Sequence, residues 1–274
     1  MSLFEIDKEK CRRDGICVAE CPLRIIELRE GSPVPTPVAG ADELCIRCGH
    51  CVAVCPHAAF FHAEIKPADC QPVIKEMALN IEHAEHFLRS RRSIRTYQDR
   101  EVEKEKIGKL VNIASYAPTG SNSQQVKWIV INSREKVHAM AGLIIDLLRY
   151  MIKEDHPMAK TYRLADTVKA WEAGLDVISR GASALVIAHA PKEYPLAQVD
   201  SANALTFLDL AAPSLGLGTC WAGFFMLAAP QWPPLQQALS LPDGHACFGV
   251  MMIGYPKYKY QRLPPRKAAD ISWR

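Results

Sequence analysis

The residues with the most specific chemistry in this chain are the four cysteines of Cys45 to Pro56, CIRCGHCVAVCP, spaced C-x2-C-x2-C-x3-C-P. Thiolates at such spacing are soft ligands for iron or zinc. A structural zinc site draws two C-x2-C pairs from separated knuckles and has no use for a third and fourth cysteine so close behind. A cubane iron-sulfur cluster does use them. Three cysteines of such a run wrap one cluster, and the fourth, ahead of a turn-forming proline, points away to a second. Zinc and disulfides are the competing readings and fit the spacing less well.

A second cluster needs ligands of its own, and the chain offers them upstream. Cys11 to Pro22, CRRDGICVAECP, repeats the first run in length and in its closing C-P. Aligned on the last cysteine, Cys11, Cys17 and Cys21 take the first, third and fourth places, and Asp14 stands in the second. An aspartate there either ligates iron through a hard oxygen, leaves the corner empty and gives a 3Fe-4S cluster, or is a solvated loop residue. By crossed connectivity one cluster takes Cys11, Cys17 and Cys55 with Asp14 as the open place, and the other takes Cys45, Cys48, Cys51 and Cys21. Cys70, Cys220 and Cys247 have no partners at ligand spacing and read as small buried apolar residues.

A different chemistry follows at Arg91-Arg92-Ser93-Ile94-Arg95. Three guanidinium groups and a hydroxyl suit a phosphate, because arginine neutralises it and supplies a planar fork of donors. A basic, solvated helix end is the plainer reading of the pentapeptide alone. About two dozen residues later Ala117-Pro118-Thr119-Gly120-Ser121-Asn122-Ser123-Gln124 forms a polar, turn-rich loop. Its amides could meet the pyrimidine edge of a flavin, where donors and acceptors alternate. It would equally serve as an ordinary helix-to-strand loop.

The elements around these residues are α+β. The chain has 274 residues, 49% of them apolar, and a net charge of +3. That length allows more than one packed unit, and the charge argues against a nucleic-acid partner. Short apolar runs after each C-P, Ile25 to Leu28 and Ala58 to Phe61, predict two strands against the clusters, and the Pro- and Gly-rich stretch between the halves is a loop. Helical spacing of apolar residues from Ile74 to Leu88 predicts a junction helix, with His83 and His86 on its solvated face. Beyond it, helices are expected around 107–114, 138–152 and 202–217, with strands at 128–131, 185–188 and 248–253. The apolar tract Ser201 to Pro230 holds Asp209, Pro213 and several glycines, so it reads as a buried helix and a turn rather than a membrane span. The amino end lacks a signal-peptide core, and cluster cysteines need a reducing compartment, so the cytoplasm is expected. There is no G-x-G-x-x-G after a strand and no G-x-x-x-x-G-K, which argues against a resident nicotinamide domain or a P-loop.

Together, RRSIR, APTGSNSQ leading into a strand, Leu215-Gly216-Leu217-Gly218-Thr219-Cys220-Trp221 and Gly254-Tyr255-Pro256 make residues 89–274 resemble the FMN-dependent nitroreductase family. Residues 1–66 resemble a two-cluster ferredoxin domain, with 67–88 as a linker helix, so the whole chain is similar to the ferredoxin-fused branch of that family. The resemblance implies a nitroreductase-like α+β sandwich and a homodimer with FMN at the shared interface. It implies that Arg91, Arg92, Ser93 and Arg95 hold the FMN phosphate and ribityl chain, and that Arg266 closes on the phosphate. It also implies that Pro118, Thr119, Gly120 and Asn122 reach the flavin from the partner subunit, and that Trp221, Ala222 and Gly223 lie beside its reactive edge. The chain departs from the family where Gln125 and Val126 stand in place of Pro-Trp, and where Asp14 replaces a cysteine.

Clusters move single electrons while reduction of a nitro group, quinone or activated alkene ends with pairs, and FMN can do both. The expected activity is electron transfer from a low-potential donor through the clusters to FMN and on to a small planar acceptor. No catalytic acid stands out, and Cys220 has no base beside it. Other chemistry on the same scaffold, such as dehalogenation, and a relay that serves a protein partner are the alternatives. A basic aromatic patch for nucleic acid near the C-terminus, around Tyr258 and Tyr260, is the weaker reading of that tail.

Overall fold

The computed structural model describes residues 2–274 and divides into two compact units. The first contains residues 1–78 together with Ser121–Ser123, and the second contains 79–120 and 124–274.

In the first unit the elements are β1 (Phe4–Ile6), α1 (Ile16–Glu20), β2 (Ile26–Glu27), β3 (Thr36–Pro37), α2 (Ala41–Leu44), α3 (His50–Ala53) and β4 (Phe60–His62). Strands β1 and β4 pair antiparallel, as do β2 and β3. The two expected strands are therefore present, each shorter than its apolar run and each paired to a strand that the sequence pattern did not mark. The internal repeat is visible in the backbone. Gly15 and Gly49, aligned in the repeat, have φ of 73° and 75° and directly precede α1 and α3. Arg13 and Arg47, and again Arg24 and Ala58, are aligned pairs that share positive φ. Both halves thus make the same tight turns, which suits a chain wrapping two similar objects. Phe4, Cys17, Ile25, Ile26, Ala41, Val52 and Phe60 form the small core.

The second unit opens with α4 (Ile81–Ser90), whose N-cap Asn80 accepts a hydrogen bond from the His83 amide. The helix expected from Ile74 begins at Ile81, because residues 67–69 and 75–77 are isolated 3₁₀ turns. His83 and His86 lie on its exposed surface, as expected. There follow α5 (Lys104–Ala114), β5 (Lys127–Ile131), α6 (Arg134–Lys153), α7 (Pro157–Thr161), α8 (Leu164–Glu172), β6 (Ala184–Pro191) and α9 (Ala197–Ala211). The chain continues through β7 (Gly218–Trp221), α10 (Gly223–Ala228), α11 (Pro233–Leu239) and β8 (His245–Gly254).

The sheet order is β5-β6-β8-β7, antiparallel throughout. Alternation along the strands sends neighbours to opposite faces. Leu185, Ile187, Val250 and Met252 pack with α6, α8, α10 and α11, while Ala184, Val186, Ala188, Met251 and Ile253 pack with α5 and α9. Helices cover both faces, which is why β6 reads as an unbroken apolar run. The tract 201–230 is more than a helix and a turn. After α9 a 3₁₀ turn ends at Gly216, whose φ is 71°, and the chain then enters β7 as an edge strand. A Cβ at Gly218 would come within 2.4 Å of the Ile94 side chain, so only glycine lets the segment around Ile94 lie this close to β7. Among the described residues no helix is long and apolar enough to cross a membrane.

Candidate functional site

The first unit assembles its cysteines in the crossed sets expected. One cavity is lined by Cys21 with Cys45, Cys48 and Cys51, and another by Cys11, Cys17 and Cys55 with Asp14. Among the described residues no three metal-ligating side chains converge as a single ion would require. Four cysteines line one cavity and three the other, a donor set that suits polynuclear iron-sulfur groups.

Backbone amides already point at the sulfurs. Arg47 N–H donates to Cys45 Sγ at 3.4 Å and Ala59 N–H to Cys55 Sγ at 3.3 Å. Burial, with neighbouring thiols adding to it, pushes the Cys17 thiol up to about 11, and burial pushes Cys51 up to about 12. Such thiols become thiolates when a cation offsets the burial, and a metal cluster supplies that positive charge. The donor set therefore fits two iron-sulfur clusters.

Asp14 sits on the wall of the second cavity. Its Oδ1 accepts the Ile16 amide at 3.2 Å, and its Oδ2 lies 3.9 Å from His57 Nε2. A residue that sequence spacing does not mark, His62, is buried beside the other cavity with Nε2 at 3.6 Å from Cys45 Sγ. Burial keeps its imidazole below the usual histidine range.

In the second unit the RRSIR segment is laid along the sheet edge. Ile94 N–H donates to Thr219 O at 2.8 Å, the buried Tyr97 donates its hydroxyl to Ile94 O at 2.8 Å, and Gln98 N–H donates to Tyr255 O at 2.8 Å. Arg91, Arg92, Arg266 and Lys267 line one cavity of about 660 Å³, so three of the expected phosphate residues meet and Lys267 joins them. With Arg89, which lines it too, five cations at one cavity suit a dianion. Ser93 accepts from Arg91 Nη1 at 3.5 Å.

Sequence reasoning missed Asp209. This buried carboxylate of α9 lies 3.3 Å from Arg91 Nη1, and its other oxygen accepts from the Thr219 hydroxyl. An acid set in the apolar run Phe207 to Leu210 was the available signal, since such a group needs a partner when buried.

Arg95 stands apart from the other arginines. It lines a second cavity, of about 380 Å³, with Tyr162, Arg180, Cys220, Trp221, Gly223 and Phe224. Ala222 is buried between Trp221 and Gly223, its amide donating to Val250 O at 2.9 Å. Arg180 holds a left-handed backbone, φ 56°, in a turn stapled by Asp176. That carboxylate accepts from the Ser179 hydroxyl and from the amides of Ile178, Ser179 and Gly181. Burial alone would raise the Asp176 carboxyl, but these bonds outweigh it and hold it below the usual range.

The Pro118–Asn122 loop lines neither cavity of the second unit. Gly120 N–H donates to both oxygens of the buried Asp200 at 3.3 Å, and Thr119 Oγ1 accepts the Gln124 amide at 3.1 Å. Asn122 clusters with the first unit, its Nδ2 donating to the carbonyls of Ile46 and Arg47 at 3.1 and 3.0 Å. Of the leftover cysteines, Cys220 is buried, Cys247 is partly so, and Cys70 is exposed. The expectation of burial fails at Cys70 because it closes an isolated turn, with Sγ donating to Lys66 O at 3.4 Å.

Comparison with known proteins adds to this geometry. The nitroreductase family model matches residues 88–255, and a 4Fe-4S dicluster domain model matches residues 3–78. A protein of Archaeoglobus fulgidus named for NADH dehydrogenase/NAD(P)H nitroreductase is 27% identical over 172 residues, covering 61% of this chain and 82% of its own. A protein of Hydrogenibacillus schlegelii named ferredoxin 7Fe is 33% identical over 64 residues, 23% of this chain and 76% of its own. The crystal structure of a nitroreductase with bound FMN from Bacteroides fragilis shares the fold at a TM-score of 0.54 and 18% identity, covering 71% of this chain and all of that one.

Proposed function

Because the chain belongs to the nitroreductase family, we propose that it moves electrons from iron-sulfur clusters in its first unit to FMN in its second, and on to a small planar acceptor such as a nitroaromatic, a quinone or an activated alkene. The observation that carries this reading is the union, in one polypeptide, of the crossed cysteine sets with a cavity ringed by Arg91, Arg92 and Arg266. When bound, the clusters would supply electrons singly and FMN would convert them to pairs.

The chain's own residues bind and orient. Cys21, Cys45, Cys48 and Cys51 hold one cluster, and Cys11, Cys17 and Cys55 hold the other. The 7Fe ferredoxin relative supports a 3Fe-4S cluster in the set that has Asp14 in place of a cysteine. Arg91, Arg92 and Arg266 neutralise the FMN phosphate, with Ser93 beside them. Tyr162, Trp221 and Phe224 give the second cavity flat apolar walls for a planar acceptor, and Arg95 and Arg180 place positive charge at its edge, where it favours negative charge developing on the acceptor. No carboxylic acid or histidine lines that cavity, so solvent supplies the proton. Cys220 has no base beside it and serves packing.

The homodimer reading draws on α4, whose Ile81, Phe87 and Leu88 are exposed in the single chain. The loop Pro118, Thr119, Gly120 and Asn122 would then face the partner's flavin. A cytoplasmic, reducing setting keeps the free cysteines available for iron.

The test is anaerobic purification followed by iron, sulfide and flavin counts, size measurement by light scattering, and reduction with dithionite and with NADH in separate experiments. Stoichiometric clusters and flavin, with acceptor turnover that depends on the clusters, are expected. Rapid flavin reduction by NADH that bypasses the clusters would contradict the route, and reduction of a protein partner with no small-acceptor turnover would favour a relay.

A further inference from the structure

His62 lies at the end of β4, paired across the ladder with Phe4, and is 4% exposed. Its two ring nitrogens have different partners. Nδ1 accepts the backbone N–H of Glu64 at 3.1 Å, and Nε2 faces Cys45 Sγ at 3.6 Å. A ring nitrogen that accepts a hydrogen bond does not carry the proton, so in the neutral imidazole the proton sits on Nε2 and is directed at the sulfur. The bond is shielded from water by burial. Cys45 thus receives two donors, His62 Nε2–H and the Arg47 amide, whereas Cys55 in the other set receives the Ala59 amide.

We infer that His62 sets the reduction potential of the cluster held by Cys21, Cys45, Cys48 and Cys51, by donating a neutral N–H hydrogen bond to the Cys45 sulfur. The inference rests on the reading that Cys45 ligates iron. An added electron increases the negative charge on the ligand sulfurs, so a donor aimed at one of them stabilises the reduced state more than the oxidised state. The step moves one electron from the external donor onto the cluster, and the hydrogen bond to Cys45 transfers no proton. His62 is a positioning residue that acts through Cys45, and its signature is a potential. Sequence spacing gives no hint of it, since the residue follows the last ligand and closes a strand.

The experiment is an EPR-monitored redox titration of the full-length protein, prepared anaerobically after iron and sulfide have been counted. His62→Phe removes the donor and keeps an apolar ring; His62→Gln keeps an amide N–H near the position of Nε2. The Phe variant is expected to shift this cluster's reduction equilibrium about tenfold toward the oxidised form, about 59 mV lower for a one-electron couple, with the other cluster unmoved. The Gln variant should recover most of the shift. A Phe variant that titrates with the wild type, or a Gln variant that falls as far as Phe, overturns the inference. If the Phe variant loses its cluster, wild-type protein labelled with ¹⁵N-histidine decides the question: pulsed EPR of the reduced cluster should show a coupled histidine nitrogen, and its absence overturns the inference equally. A wild type without iron and sulfide would remove the underlying reading first, so the two failures are told apart.

Discussion

Arg91→Ala is expected to do two separable things. The side chain of Asp209 is 7% exposed and that of Arg91 29% exposed, with 3.3 Å between them. Removing one partner of a buried pair leaves an uncompensated charge, at a cost of about 3 kcal/mol when the lost partner is itself partly wet. For a chain of this size that lowers Tm by roughly 6 to 12 °C. The same substitution removes a phosphate contact, and one charge-assisted hydrogen bond is worth about 1.5 to 3 kcal/mol, or roughly ten- to a hundredfold in the Kd for FMN. The double variant Arg91→Ala/Asp209→Asn separates the two effects. It removes the stranded carboxylate and keeps a group that can still meet the Thr219 hydroxyl, so most of the lost Tm should return while FMN affinity stays low. The assays are calorimetric melting of the flavin-free protein and fluorescence titration of that protein with FMN. Equal melting temperatures for the single and double variants would refute the claim that Asp209 depends on Arg91, and unchanged FMN affinity in both would refute the clamp.

Three further outcomes are expected. Arg266 is exposed and has no ion-pair partner among the described residues, so Arg266→Ala should weaken FMN binding about tenfold with Tm within a degree or so, read by the same two assays. Asp14→Cys should complete the second cysteine set, raising the iron count from about seven to about eight per chain and abolishing the EPR signal of an oxidised three-iron cluster; an unchanged count would show that Asp14 does not stand at the open corner. His189 is buried on the interior strand β6, and burial, then His245 and Lys127, hold its imidazole below the usual range. Its folded pKa is lowered, so the unfolded chain takes up a proton first as pH falls below the ordinary histidine value of 6.5, and stability declines there. His189→Gln should flatten Tm between pH 7 and 5, measured by melting across that range.

How much of this was legible without coordinates depends on whether the informative residues are near one another in the chain. The crossed cysteine sets follow from local spacing, because a cluster imposes its geometry on consecutive residues. The sheet strands β5, β6 and β8 announce themselves as apolar runs, and α6 as a long amphipathic period. Strand β7 does not, since Gly218 and Thr219 carry little strand signal and the strand exists because glycine admits Ile94. The short polar helices α7 and α8 were missed for want of a long apolar period. Asp209 was invisible as a site residue because its partner Arg91 lies 118 residues away. The arginines of RRSIR are neighbours in the chain, and their division between two cavities, Arg91 and Arg92 at one and Arg95 at the other, is visible only in the fold.

In the proposed ligation, the exchange of Cys21 and Cys55 between the two halves of the repeat makes each cluster a further tie between stretches of chain that the β1–β4 pairing already joins. Neither half can complete an inorganic core by itself, so maturation has to wait for both. Damage by oxygen would follow the same logic in reverse: once one bridge dissolves, the survivor's outlying thiol loses its anchorage, and the loss of iron should proceed as a single concerted collapse instead of two independent decays.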